Sequence, residues 1–243
     1  MIAGVSIEAA ILVGLIVAIG CFIQATVGLG LGLFGAPLIA LIEPQLVPTL
    51  LLLLAIVVST GVTVAEFKHI DWRVIAWALP ARIPGTWLGV WLATSFSHRL
   101  LGIAVGVMVL VAVWLSFHTV EVRQTPLTLV GAGLAAGTTG TAVAVGGPPM
   151  ALVMAHRPPR EVRGTLSFFF VVGSLMSVIW FAAAGELSRD VVVLGAAYLP
   201  LVGLALLLGT WTHQRIPREA FRRVVLVLCA SSAVVLLVKS VLG

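Results

Sequence analysis

The chain has 243 residues, of which 60% are hydrophobic and 9% charged, and its formal net charge is +5. A soluble domain carries roughly 25% charged residues, so this composition excludes an ordinary water-exposed surface and favours a lipid bilayer as the surrounding solvent. The basic residues stand in short gaps between apolar runs, where membrane proteins place the charges that set their topology. They form no basic stripe for a nucleic acid, and none is expected as a partner.

Eight apolar runs follow one another along the chain, at about 7–42, 46–65, 74–96, 100–117, 126–155, 164–185, 191–212 and 224–242. Six of them have the length of one membrane crossing at about 1.5 Å per residue. The first and fifth runs are too long for one crossing, and each carries a glycine cluster followed by proline near its middle. We therefore predict an all-α, polytopic membrane protein with about eight apolar segments.

The two long runs align with each other without a gap at a constant offset of 112 residues, which pairs Gly28 with Gly140 and Pro37 with Pro149. Further along, an offset of 120 residues pairs Glu66 with Glu186. This pattern predicts two related halves, residues 1–120 and 121–243. Chance alignment of small residues in a glycine-rich chain is the alternative.

The distribution of Lys and Arg favours a re-entrant path for the two long runs. If each run crosses once, Lys and Arg divide eight to five between the two sides. If each run enters and returns as a broken hairpin, they divide ten to three, with Arg82 outside both counts. The second division obeys the positive-inside rule better. It predicts two inverted repeats, each a broken hairpin plus three transmembrane helices, with both termini outside the cytoplasm.

The glycine clusters suggest how a substrate could be held. Clustered glycines end a helix, and proline is favoured in the first turn of the next one. Each half is therefore predicted to contain a helix, an unwound segment and a new helix N-terminus. Two such N-termini facing one cavity would offer unpaired N–H groups and positive dipole ends, which suit a small anion. Close helix packing through small residues is the alternative interpretation.

Arg82 is a basic residue well inside an apolar run, between Pro80 and Pro84. A charge at membrane depth is costly and usually functional, so we predict that Arg82 attracts an anionic substrate. Snorkelling to the interface, or pairing with Glu66 or Asp71, is the alternative. The full set of candidate substrate-binding residues is Gln24, Gly28, Gly30, Gly32, Gly35, Pro37, Arg82, Thr139, Gly140, Thr141, Gly146, Gly147 and Pro149.

The remaining motifs indicate no chemistry. The histidines lack metal-ligand spacing, and the G-x-G-x-x-G match at residues 30–35 has no βαβ context. We expect no metal, no cofactor and no enzymatic activity. Glu66 and Glu186 occupy matching span ends, where solvation at the interface is the expectation and proton coupling the alternative.

The two glycine segments resemble those of the TauE/SafE family, the toluene-sulfonate uptake permease group of anion transporters. The residues that carry the resemblance are GLGLGLFGAPLIAL from Gly28 and GTTGTAVAVGGPPMALVMA from Gly137, with the Leu88-Gly89 and Leu208-Gly209 steps. It covers essentially the whole chain. The second half departs from the usual glycine run, because Ala142 and Ala144 replace glycines.

The resemblance implies movement of small sulfur-containing anions, such as sulfite or organosulfonates, across the bacterial inner membrane. Our hypothesis is a secondary transporter that exports such an anion by alternating access, with the substrate bound between the two breaks. A channel-like anion pore is the alternative, and a membrane scaffold without transport is a weaker one. The expected partners are a small anionic substrate and the lipid bilayer, and a homodimer is left open.

Overall fold

A computed structural model describes residues 5–117, 122–212 and 218–242 of the chain. Within these ranges lie eleven α-helices and two short 3₁₀ turns, Pro44–Leu46 and Phe67–His69. The α-helices are α1 (Ile7–Val27), α2 (Leu31–Ile42), α3 (Thr49–Ala65), α4 (Trp72–Ser95), α5 (His98–Phe117), α6 (Pro126–Val143), α7 (Gly147–Val153), α8 (Pro159–Ala183), α9 (Arg189–Ala197), α10 (Leu199–Thr212) and α11 (Arg218–Leu242).

Several helices begin at side-chain caps that the sequence supplies. The Ser6 hydroxyl accepts a hydrogen bond from Ala9 N at the start of α1, and the Asp71 carboxylate accepts from two backbone N–H groups at the start of α4. Thr125 forms a capping box with Thr128 before α6. Such caps satisfy N–H groups that have no partner within the helix, and they fix where the membrane helices start.

The outer surface of the described bundle is apolar. Large aliphatic side chains face outward, with Leu127 81%, Val64 74% and Leu207 68% exposed. All seven tryptophans are at least 40% exposed as well. An aqueous surface rarely carries so continuous an apolar coat, whereas a lipid-facing surface requires one. The predicted all-α membrane protein is confirmed.

Three described helical segments are long and apolar enough to cross a bilayer alone: Ile7–Val27, Pro159–Ala183 and Val225–Leu242. Helices α9 and α10, bent by 47°, together make a fourth. The other described helices are shorter or carry Gly, Pro, Thr and charged residues; α4, for example, contains two prolines and Arg82. The number of eight membrane segments therefore stays a prediction.

One end of the bundle is marked by contacts around Arg157. The Arg157 guanidinium donates to Gln124 Oε1 at 2.6 and 3.1 Å and lies 3.5 Å from the Asp71 carboxylate. Arg163 pairs with Glu66 at the same end, at 2.8 Å. Gln124 precedes α6 and Arg157 follows α7, so the α6–α7 pair starts and finishes at this end, which we call the Arg157 end.

The opposite end of the bundle is marked by Lys239. Its Nζ donates to the Leu41 carbonyl near the end of α2, at 2.9 Å. Arg99, at the start of α5, donates to the Ser240 and Val241 carbonyls at 2.8 and 2.6 Å. We call this the Lys239 end. Since Gly28 lies against Arg163, the turn between α1 and α2 faces the Arg157 end, whereas α2 returns to the Lys239 end.

Helices α4 and α6 pack with their backbones in close contact. A Cβ atom at Gly133 would lie 2.1 Å from the Ala78 carbonyl oxygen, and one at Gly137 would lie 2.6 Å from the Arg82 carbonyl oxygen. Only glycine permits this approach. Close packing therefore explains the glycines in the middle of α6, and it holds the Arg82 segment of α4 beside the end of α6.

Candidate functional site: a cavity between two broken helices

The chain breaks at both glycine-rich segments, as predicted. Helix α1 ends at Val27, and its C-cap Gly28 has a left-handed backbone with φ 93°. Helix α6 ends at Val143, and its C-cap Ala144 is also left-handed, with φ 61°. Each break is three residues long, because α2 begins at Leu31 and α7 at Gly147.

The register of the two breaks differs from the one that the glycines predict. Val143 lies 116 residues after Val27, and Gly147 lies 116 residues after Leu31. The gap-free offset of 112 residues is therefore wrong for the breaks by four residues, about one helical turn. Helix α6 continues through Gly140 since packing and backbone hydrogen bonds, rather than composition, decide where a helix ends.

The first break is held by Gln24. The Gln24 side-chain oxygen accepts a hydrogen bond from Leu31 N at 3.0 Å, and its amide nitrogen donates to the Ser59 hydroxyl at 2.8 Å. The side chain is buried, and both ends of its amide bond to the protein. Gln24 therefore fixes the entry into α2 and ties it to α3.

The second break is held by Thr139. The Thr139 carbonyl accepts hydrogen bonds from Ala144 N and Val145 N, and its hydroxyl lies 2.9 Å from the Val145 carbonyl. Pro148 and Pro149 follow in the first turn of α7. They have no N–H group, so this helix N-terminus offers fewer donors than the sequence predicts.

Pro37 lies elsewhere than predicted. It is the seventh residue of α2, inside the helix, and not in its first turn. Helix α2 starts early because Leu31 N is capped by Gln24. Proline in a helix interior removes one backbone hydrogen bond, and Pro37 does so on the buried side of α2.

The two breaks contact each other directly. A Cβ atom at Gly32, in the first turn of α2, would lie 1.7 Å from the Ala144 carbonyl oxygen. A cavity of about 40 Å³ lies beside this contact, which is room for roughly three water molecules. Its wall is formed by Gln24, Leu29, Gly30, Gly32, Leu33, Leu51, Leu52, Ala55, Arg82, Gly140, Ala144, Val145, Gly146, Gly147, Pro148, Phe170 and Ser174.

Arg82 is the only charged side chain among these described wall residues, and it is 1% exposed. Its Nε and Nη1 atoms have no hydrogen-bond partner among the described residues. The guanidinium carbon lies 4.6 Å from the centroid of the Phe169 ring, a cation–π contact that holds it in place. Arg82 neither snorkels to the interface nor pairs with Glu66 or Asp71, so the alternative interpretation of this residue is wrong.

Room for the guanidinium depends on one glycine of α8. A Cβ atom at Gly173 would lie 1.9 Å from both Cζ and Nε of Arg82. One helical position further, Ser174 brings a hydroxyl to the cavity wall. Neither residue is a sequence candidate. Both stand in an unbroken apolar run where glycine and serine are common, and no sequence signal separates them from packing residues.

Seven of the thirteen sequence candidates lie on the cavity wall: Gln24, Gly30, Gly32, Arg82, Gly140, Gly146 and Gly147. The other six are Gly28, Gly35, Pro37, Thr139, Thr141 and Pro149. Of these, Gly28 packs on Arg163 and Gly35 on Leu51, while Thr141 shares a 2.7 Å hydrogen bond with Ser177. These three residues therefore contact other parts of the protein and do not line the cavity.

The two glutamates of the predicted pair occupy different environments. Glu186 is exposed, as expected for a solvated span end. Glu66 is 5% exposed, accepts a hydrogen bond from Arg163 Nη1 at 2.8 Å, and lies 3.2 Å from His69 Nδ1. Interfacial solvation is therefore the wrong interpretation of Glu66. Its partner Arg163 is 97 residues away in sequence, too far for a local pattern to reveal.

Comparison with known proteins places the chain in a family of membrane transporters, not enzymes. The family profile of the sulfite exporter TauE/SafE matches residues 11–236. The chain is 27% identical over 201 residues to a probable sulfite/organosulfonate exporter TauE of Cupriavidus necator, covering 78% of each chain. It is 26% identical over 178 residues to a probable inner membrane transporter protein TsaS of Comamonas testosteroni, covering 69% of this chain and 72% of that one.

No solved structure gives a significant match. The family profile spans both helix breaks, Arg82 and the cavity between them. The chain belongs to the TauE/SafE family of sulfite exporters.

Proposed function

We propose that this protein is a secondary transporter that exports a small sulfur-containing anion, sulfite or an organosulfonate, across the bacterial inner membrane by alternating access. The observation that carries the proposal is Arg82, a buried arginine at the wall of a small cavity between two helix breaks. The name of the Cupriavidus necator relative points to the same substrates.

The electrostatics of Arg82 favour an anion as the ligand. A buried charge without a partner is strongly unfavourable, and Nε and Nη1 of Arg82 lack one within the described residues. An oxyanion in the cavity would supply both a counter-charge and hydrogen-bond acceptors, which are charge-assisted and strong. Binding of an anion would therefore offset the free-energy cost of burying the Arg82 charge.

The backbone at the first break adds donors. The Gly32 and Leu33 N–H groups stand in the first turn of α2 and have no partner within that helix. Both residues lie on the cavity wall. Positive helix ends favour anions, so this N-terminus would share the anion with Arg82. The second break contributes less because its first turn contains two prolines.

The arrangement of the helices supports two inverted halves, 1–120 and 121–243. Each half would contain a broken pair, α1–α2 or α6–α7, followed by three membrane segments. The first pair returns to the Lys239 end and the second to the Arg157 end. Opposed hairpins around one site allow the two halves to rock about it and to expose it alternately.

The distribution of basic residues supports one orientation in the membrane. Lys68, Arg73, Arg123, Arg157, Arg160 and Arg163 stand in the segments that meet at the Arg157 end. By the positive-inside rule this end faces the cytoplasm and both termini lie outside. An anion that leaves a cell at about 100 mV, negative inside, gains about 2.3 kcal/mol per charge, so export needs no ATP. A homodimer is compatible with this scheme but is not needed, since one chain supplies both breaks and Arg82.

Counterflow of radiolabelled sulfite in proteoliposomes tests the proposal. We expect saturable counterflow that Arg82→Ala weakens about 10- to 100-fold in apparent affinity, as expected for loss of charged hydrogen bonds. Gly173→Ala should act similarly without removing the arginine, because the new methyl group displaces the guanidinium. Gly131→Ala is the matched control, since a Cβ atom there meets nothing within 4 Å.

Three results would contradict the proposal. Unchanged sulfite affinity in both Arg82→Ala and Gly173→Ala would show that the anion binds elsewhere. High, non-saturating conductance would favour a channel-like pore. Absence of any sulfite or sulfonate flux in folded protein would leave only a scaffold role.

A further inference from the structure

A second cavity adjoins the one beside Arg82. It has a volume of about 280 Å³ and shares Leu29, Gly30, Leu33 and Pro148 with the wall of the first. It extends toward the Arg157 end, because Met154, Ala155 and His156, which follow α7, also line it. We call it the inner vestibule. It is seven times larger in volume than the cavity at Arg82.

The wall of the inner vestibule is apolar. Most of its lining residues belong to α1, α5, α7 and α11, such as Val27, Leu115, Ala151 and Leu226, and α2 and α8 add Leu33 and Val162. Among its described lining residues His156 carries the only polar side chain. An inorganic anion gains nothing from such a wall, since a charge loses hydration there without finding donors. An apolar group gains from the same burial.

We propose that the inner vestibule is a second subsite, which binds the organic group of an organosulfonate whose sulfonate lies at Arg82. This inference rests on the proposed function, since it needs an anion at Arg82. The geometry that supports it is the shared wall, since Leu29, Gly30, Leu33 and Pro148 line both cavities.

The size of the vestibule limits the organic group. A dry, apolar cavity of about 150 Å³ holds benzene, so 280 Å³ accommodates an aromatic ring or an alkyl chain of about six carbons. Each buried methylene should raise affinity about fourfold. Affinity should therefore rise from methanesulfonate to hexanesulfonate and level off once the vestibule is full.

Equilibrium binding to the purified full-length protein in detergent tests this inference. The ligands are sulfite, methane-, butane- and hexanesulfonate and benzenesulfonate, with hexanol as the control for partition into detergent. We expect affinity to increase at least tenfold from methane- to hexanesulfonate. Arg82→Ala should weaken sulfonate binding about 10- to 100-fold, as it does for sulfite, and hexanol should bind much more weakly than hexanesulfonate.

Variants that fill the vestibule separate its role from that of Arg82. Ala151→Phe places a ring in the vestibule, and Ala155→Phe does so from the next turn. At least one should lower hexanesulfonate affinity tenfold or more while sulfite affinity changes less than twofold. Ala182→Phe, at an exposed position of α8, is the matched control and should change neither.

Two outcomes would overturn the inference. One is equal affinity for methane- and hexanesulfonate in the unmodified protein. The other is equal loss of sulfite and hexanesulfonate binding in both vestibule variants. If sulfonates bind with the expected chain-length dependence but are not moved in proteoliposomes, the transport proposal fails and the binding site stands.

Discussion

The two helix breaks have the same length and the same left-handed first residue, yet they differ in composition and in how they are held. The first is Gly28-Leu29-Gly30, and the second is Ala144-Val145-Gly146. Gly28 adopts φ 93° at little cost, whereas Ala144 adopts φ 61° against its preference. Glycine is therefore not what makes a break in this protein; the surrounding contacts can impose the same backbone on alanine.

The contacts around the two breaks differ in range. The first break is tied to distant helices, through the Gln24–Ser59 hydrogen bond and through Arg163 packed on Gly28. The second is held mainly within its own segment by Thr139. A break fixed by long-range contacts should be the more sensitive to substitution. This difference can be tested by paired substitutions at the two breaks.

The largest difference is expected at the glutamates. Glu66→Ala removes the 2.8 Å partner of Arg163, which is 3% exposed and packs against Gly28. Removing one member of a buried ion pair costs about 3–5 kcal/mol. Glu186→Ala is the control, because exposed substitutions change stability by less than about 0.5 kcal/mol. Thermal unfolding in detergent measures both, and equal shifts would contradict the buried pairing of Glu66.

The next largest loss of stability is expected at the contact between the two breaks. Gly32→Ala places a methyl group 1.7 Å from the Ala144 carbonyl oxygen, so the two segments must separate. We expect a loss of about 3 kcal/mol, at the upper end for overpacking, and loss of sulfite counterflow. In Gly35→Ala the new methyl group meets only the ends of flexible side chains, with Leu51 nearest at 3.1 Å, and the substitution should cost less than about 1 kcal/mol. Similar behaviour of the two variants would show that the breaks do not touch.

The hydrogen bonds that hold the breaks should differ as well. Gln24→Ala removes the hydrogen bonds that its side chain makes with Leu31 N and the Ser59 hydroxyl, which should cost about 2–3 kcal/mol. Thr139→Val removes one hydroxyl while the carbonyl bonds remain, and should cost about 1 kcal/mol. Unfolding of both variants by a chemical denaturant measures the difference. A larger loss of unfolding free energy in Thr139→Val would contradict the view that the first break depends more on its hydrogen bonds.

The smallest effects on stability are expected at the two left-handed residues, where Gly28→Ala adds backbone strain and Ala144→Gly removes it. Gly28→Ala forces alanine into φ 93° and places a methyl group 2.9 Å from Arg163 Cα, at a total cost of about 2 kcal/mol. Ala144→Gly relieves the same strain but loses about 0.5–1 kcal/mol to the entropy of glycine, so its net effect is close to zero. Unfolding temperatures of the two variants check this. Marked stabilisation by Ala144→Gly would mean that the second break carries more strain than its backbone angle implies.

Sequence patterns predicted the two helix breaks and the buried charge of Arg82, but not how the two breaks correspond to each other. Gly28 is the left-handed residue that the pattern predicts, and Arg82 is buried as predicted for a charge at membrane depth. The offset of 112 residues fails because it matches glycine with glycine, while Gly140 continues α6 and Ala144 ends it. The positions of glycines therefore do not predict where a helix ends when alanine adopts the left-handed conformation that glycine usually takes.

Residues whose role depends on a distant partner could not be identified from the pattern. Ser174 and Gly173 reach the site through the packing of α8 against α4. Glu66 is buried because Arg163 lies beside it. Thr139 and Thr141 look like ligand donors in a sequence, yet their hydroxyl groups bond to the protein. Hydrogen-bond partners are a property of the packed structure, since a hydroxyl group takes whichever acceptor the fold presents.

By itself the sequence determined that the chain lies in a membrane, that two long apolar runs are broken, and that one arginine lies at depth. These features follow from local composition, because transfer to lipid is nearly additive along a helix. The tertiary structure decided which break residues meet, that Arg82 reaches their cavity, and that an apolar vestibule adjoins it. Cavities arise between helices that are far apart in the chain, so their size and charge depend on packing alone.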